Sequence, residues 1–155
     1  MLTALRTRTA RLVACALVVG VAATGCFGGP SESLPASGYT RELYDLVNAD
    51  RARHGLPAFG WDNQLGGLAQ SWSQHMASAG MGHRNIYEIL NLGFGGAAEN
   101  VIRSPHCNIS PAQVEAAWMN STPHRNNILG PYNVIGIGVV CANGQLWATQ
   151  DFGRR

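Results

Sequence analysis

The chain predicts an α+β domain in which the helices come first and an antiparallel strand pair comes last. Three observations predict it. Apolar residues recur at 3 and 4 residue intervals in two early stretches, around Leu43 and around Leu65. A third helix is announced by the Ser110-to-Gln113 spacing of a capping box, with Pro111 at its first position. Beyond Gly130-Pro131 the period switches to two, and Asn143-Gly144 supplies a strong short-range hairpin signal.

In chain order, the first helix is expected over Thr40 to Arg53. Leu43, Leu46, Val47 and Asp50 share a face, Glu42 suits the first turn, and Gly55 with Pro57 ends it. Asp62 or Asn63 caps a second helix, whose stripe Leu65, Leu68, Ala69, Trp72 and Met76 reads as core rather than as a cofactor site; Gly80 closes it. His75 beside that stripe has the same bland reading. Met81 to Asn85 is a loop carrying His83, and Ile86 to Leu92 a short helix. Gly93 to Gly96 suits a flexible flap or a tight bend, too irregular for a phosphate loop.

In the capped helix Val114, Ala117 and Trp118 fall on one face, and Pro123 is expected to stop it, because proline disfavours the helical region for Thr122. Ser121 and His124 then sit at a helix-to-loop corner, where side chains can enter a cleft. In the strand pair, Ile135, Ile137, Val139 and Cys141 alternate with smaller residues. The return strand, Leu146 to Phe152, puts Trp147 and Thr149 on the face opposite Leu146 and Ala148.

The N-terminus reads differently from the rest. Arg6, Arg8 and Arg11 precede a 12-residue apolar run from Leu12 to Ala23, the pattern of a signal peptide over residues 1–25 and too short for an ordinary membrane span. No Arg-Arg pair supports twin-arginine export. Ala23-Thr24-Gly25-Cys26 resembles a lipobox, with Cys26 as the acylated residue and membrane attachment as the consequence. Residues 26–38 form a tether rich in Gly, Pro and Ser, leaving 39–155 as the folded domain.

Charge excludes one class of partner. Residues 26–155 hold eight Arg and no Lys against nine Asp and Glu, a formal charge of −1, so there is no basic field for nucleic acid. With Cys15 in the apolar run and Cys26 assigned to the lipid, Cys107 and Cys141 remain as an even pair in an oxidising compartment, where a bridge is expected.

The ordered motifs resemble a known family. They are Asn48-Ala49-Asp50-Arg51 with Gly55-Leu56-Pro57, then Leu65 to Met76, Gly82-His83, and Ala98-Glu99-Asn100. Trp118-Met119-Asn120-Ser121 follows, with His124-Arg125, Asn127-Ile128-Leu129 and Trp147 to Gly153. Together they are similar to the bacterial extracellular branch of the CAP superfamily, whose unit is the SCP domain and whose members include cysteine-rich secretory proteins, antigen 5 and pathogenesis-related proteins.

The resemblance implies a three-layer α-β-α sandwich, with helices flanking a small antiparallel sheet, and a cleft lined by two His and two acidic residues. By motif, His83 and His124 take the His places and Glu99 the first acidic place. Ser121 stands at the second, which is a departure, and Glu115, three positions before Trp118, lies lower along the same helix and does not replace it.

Two neutral imidazoles suit zinc or copper, with Glu99 as a third ligand or as the base for a bound water. A metal-dependent hydrolase acting on peptide or cell-wall substrate is therefore the alternative. A Ser121, His124, Glu99 triad is disfavoured because no strained nucleophile elbow precedes the Ser. The leading expectation is a monomeric, secreted or envelope-anchored module that binds a lipid or another small hydrophobic ligand, or recognises an envelope component, and is not an enzyme.

Overall fold

The computed structural model describes residues 38–155; the expected signal peptide, Cys26 and nearly all of the tether lie outside them. Five helices and four strands are described: α1 Gly38–Arg53, β1 Gly60–Trp61, α2 Asn63–Ala79, α3 Tyr87–Leu90, β2 Gly96–Ser104, α4 Pro111–Asn120, α5 Thr122–Ile128, β3 Val134–Ala142 and β4 Gln145–Arg154. None of these helices is long and apolar enough to cross a membrane.

The strands form one sheet in the order β1-β3-β4-β2. The β3-β4 hairpin turns at Asn143-Gly144, both at positive φ, as the type I′ signal requires. Two strands were not expected. β1 pairs parallel to β3, so the sheet is mixed, and β2 pairs antiparallel to β4 along nine residues. Gly96, expected in a flexible flap, opens β2.

Helices cover both faces, which makes the three layers. On one face α2 lies against β3 and β4 at very short range. A Cβ at Gly136 would fall 2.1 Å from Gly66 N, and one at Gly138 2.2 Å from Ala69 C. The glycines that alternate with Ile135 and Ile137 are therefore the seat of a helix backbone. On the other face α1 and α4 enclose the main core, where Leu43, Val47, Val114, Trp118, Ile135, Ile137, Leu146, Ala148 and Phe152 are buried together. Trp147 packs with Met76 and Val101 on the α2 side, so the expected two faces of β4 are the observed ones.

The helix signals read locally are present. Asp62 accepts from the backbone N–H of Gln64 and Leu65, and the Ser110–Gln113 capping box is complete. Two details differ. On α4 the buried face is Val114, Glu115 and Trp118, while Ala117 is exposed, because the helix is enclosed by α1 as well as by the sheet. And Pro123 does not end in a loop: α4 stops at Asn120, and Pro123 sits in the first turn of α5, where a missing N–H costs nothing. Cys107 and Cys141 are joined, with Cα atoms 5.5 Å apart, tying the segment before α4 to the end of β3.

Candidate functional site

Glu99 lies on β2, an outer strand of the sheet, with its side chain on the α2 face and only 3% exposed. Both oxygens of its carboxylate accept hydrogen bonds. His83 Nδ1 donates to Oε1 at 2.8 Å, the Arg84 backbone N–H donates to the same oxygen at 3.0 Å, and Arg84 Nε donates to Oε2 at 3.0 Å. A carboxylate only accepts, so Nδ1 carries a proton toward Glu99 and Nε2 is the ring nitrogen left out of that bond. That ring is 60% exposed.

The loop bearing His83 is held from behind. Trp72 Nε1 donates to the Gly82 carbonyl at 3.0 Å, and the Arg84 guanidinium lies 5.3 Å from the Trp72 ring. Arg84 itself is buried, with Nη2 donating to the Leu68 carbonyl at 2.6 Å and lying 3.5 Å from Asp151. Trp72 is thus half core residue and half loop clamp. His75 stacks on it with ring centroids 4.6 Å apart and takes no part in the site.

His124 enters from α5, on the opposite side of β2. Asn100 Nδ2 donates to the His124 carbonyl at 3.1 Å and to Gln150 Oε1 at 3.0 Å. Asn127 Nδ2 donates to Asn100 Oδ1 at 2.9 Å and to the Glu99 carbonyl at 3.2 Å. This buried amide cluster fixes the backbone of both Glu99 and His124. Burial, and secondarily the charge of His83, lower the His124 pKa, which favours its neutral form.

Ser121 is the single residue between α4 and α5; its carbonyl accepts from the Arg125 N–H at 2.8 Å and its hydroxyl makes no capping bond. The carboxylate that a Ser121, His124 triad would need is bonded to His83 instead. Glu115 points toward α1 and bonds to Gln150, away from the imidazoles. Among the described residues no three His, Cys, Asp or Glu side chains converge as a metal site.

Residues 44–152 match the family described as the cysteine-rich secretory protein family, CAP. The chain belongs to the CAP family. This CAP domain is 30% identical over 128 residues to the uncharacterized protein YkwD of Bacillus subtilis (strain 168), an alignment covering 76% of the chain and 48% of that relative. An extracellular protein containing a SCP domain from Bacillus anthracis has the same fold, with a TM-score of 0.64 and 25% identity, covering 79% of this chain and 45% of that one.

A cysteine-rich secretory protein from Staphylococcus aureus matches with a TM-score of 0.60 at 19% identity over 78% of this chain and 40% of that one, a likeness of fold alone. The CAP domain thus spans less than half the length of each of these relatives. It is of the kind carried by bacterial extracellular proteins.

Arg84, Asp151, Asn100, Asn127 and Gln150 are the site residues that the sequence reading did not single out as a group. Asp151 is fully buried, and neither of its carboxylate oxygens has a hydrogen-bond donor. Burial, more than the nearby Glu99 and Glu88 charges, raises its pKa well above the usual range, while Arg84 opposes that. The register of β2 against β4 makes it the direct neighbour of Glu99.

Proposed function

We propose that this CAP domain is a non-catalytic binding module of the bacterial cell envelope, taking a lipid or another small hydrophobic ligand beside His83. The observation that carries this reading is the engagement of Glu99. Three hydrogen bonds from His83 and Arg84 engage both of its oxygens, and the buried Arg84 guanidinium on Oε2 weakens it as a base for activating a water. The second acidic place is a serine. What remains is an exposed imidazole in a stretch that also carries Met81, Tyr87 and Leu92, the large apolar side chains that stand out as exposed among the described residues. Anchoring through an acylated Cys26 belongs to the same reading, and Cys26→Ser should release the protein to the medium.

Titration of the purified full chain with a dansylated fatty acid tests it. Saturable fluorescence enhancement, weakened at least several-fold by Tyr87→Ser combined with Leu92→Ser, is the expected result. Turnover of peptide or cell-wall fragments that disappears in Glu99→Gln would overturn it in favour of the hydrolase.

A second reading is a divalent cation, zinc or copper, on His83 and His124 with water completing the shell. It is favoured by His124 being shifted toward its neutral form and by His83 offering Nε2. Glu99 would then orient His83 rather than ligate, as carboxylates behind metal-bound imidazoles do. Calorimetry with Zn²⁺ and Cu²⁺ decides this; a flat isotherm, or one unchanged by replacing both rings with Ala, would sink it.

A further inference from the structure

Away from the His cleft, α1 and α4 leave a surface groove of about 260 Å³ lined by Leu46, Asp50, Arg53, Glu115, Ala116 and Met119, among others. Glu115 is 2% exposed, and only one of its carboxylate oxygens is satisfied, by Gln150 Nε2 at 3.1 Å. Its Oε1 has no partner, which is costly for a buried polar atom. Asp50 is nearly buried as well and is paired with Arg53, whose side chain is 63% exposed. We propose that this groove is a binding site for a small organic cation, a primary ammonium or guanidinium on a short alkyl chain, held between the Asp50 and Glu115 carboxylates.

The chemistry follows from what lines the groove. Arg53 already places a guanidinium on Asp50 from the solvent side, so the protein itself shows a group of this class in place. Leu46, Ala116 and Met119 supply apolar surface for an alkyl stem, as long cationic side chains prefer. A divalent metal fits less well, because no third acidic, His or Cys ligand converges here.

Charge complementarity depends on Glu115 being ionised. Burial first, then Asp50, push its pKa up to about 8, against the opposing effects of Gln150 and Arg53. The other charged groups on elements packed against α4 are engaged elsewhere: on α1, Arg41 pairs with Asp45, Arg51 donates to the Ile128 carbonyl and Glu42 faces Tyr39. Arg125 donates to the Met119 carbonyl, Glu99 is held by His83 and Arg84, Arg103 lies over Trp147, and His124 belongs to the cleft. Binding of the cation therefore releases the Glu115 proton to solvent, and affinity rises with pH.

The full chain is titrated with propylguanidinium by calorimetry at pH 6.5 and 8.5, each in two buffers of different ionisation enthalpy. Affinity should be roughly tenfold or more higher at pH 8.5, with close to one proton released per cation at pH 6.5 and only a fraction of one at pH 8.5. Glu115→Gln should weaken binding at pH 8.5 and abolish the proton release. Ala116→Leu, an exposed position that narrows the groove and leaves the Gln150 bond alone, should also weaken it, so the test survives if Glu115→Gln fails to fold. No saturable heat at pH 8.5, binding indifferent to both substitutions, or tighter binding of propionate than of propylguanidinium would each overturn the proposal.

Discussion

Glu99 on β2 and Asp151 on β4 are direct cross-strand partners, and a single buried guanidinium, Arg84, bonds one at 3.0 Å and lies 3.5 Å from the other. Two carboxylates side by side on a sheet repel each other. Here a cation from the loop behind His83 makes the pair tenable, so the stability of the sheet edge and the orientation of His83 depend on the same residue.

Removing that cation while keeping most of the volume leaves Asp151 without its ion partner and Glu99 with only His83 and the residue-84 backbone N–H. Arg84→Met is expected to cost about 3–5 kcal/mol in urea unfolding, the range for breaking a buried ion pair from one side. Asp151→Asn in the same background should recover part of the loss. A single-mutant loss under about 1 kcal/mol would show that Arg84 is not the cation that holds the pair.

Glu115 predicts a pH dependence of the opposite sign to that of a salt-bridged acid. Its pKa rises from 4.5 to about 8 on folding, so between those values the native state keeps a proton that the unfolded chain has lost. Stability contributed by this group therefore falls as pH rises from about 4.5 to 8 and levels off above. Glu115→Gln should flatten that slope and stabilise the protein by on the order of a few kcal/mol at pH 9. Chemical denaturation at several pH values, without added cation, measures it, and a mutant slope equal to the wild-type slope contradicts it.

His124 works the other way. Its pKa is lowered on folding, so the unfolded chain takes up a proton first as pH falls below about 6.5. The stability that goes with this ring is complete above that pH and is lost as pH drops toward the folded value. NMR titration should place the His124 midpoint below that of an exposed imidazole, and His83→Gln should raise it by removing the neighbouring charge. A midpoint that does not move in His83→Gln would mean that the two rings do not interact.

The bridge between Cys107 and Cys141 closes a loop across a sequence separation of 34 residues. In the chain-entropy account that is worth about 3.5–4 kcal/mol, a large part of a small domain's stability. Cys107→Ala with Cys141→Ala should lower the midpoint of thermal unfolding by more than 10 °C, given about 4–8 °C per kcal/mol. Two titratable thiols in the denatured, unreduced domain of residues 39–155, which holds only these two cysteines, would show that the bridge does not form.

What the chain determined by itself is what local chemistry can specify. The helix starts at Asp62 and Ser110 are side chains bonding to N–H groups two or three residues on, and the Asn143-Gly144 turn is a matter of φ at two residues. None of these needs a distant partner, so sequence shows them. The motif order around His83, Glu99 and His124 was legible through family resemblance rather than through spacing, since residues 41 positions apart in the chain carry no geometric signal.

β2 was not legible, because Gly96 to Ser104 is covered on both faces and so lacks the alternation that marks a half-exposed strand. Neither was α5, whose proline reads as a stop until the corner at Ser121 turns it into a first-turn residue. Only the tertiary structure decided the Arg84 pairing and the burial of Glu115. Both follow from which carboxylates the sheet register and the α1–α4 packing press together, a long-range outcome to which no single segment of sequence is committed.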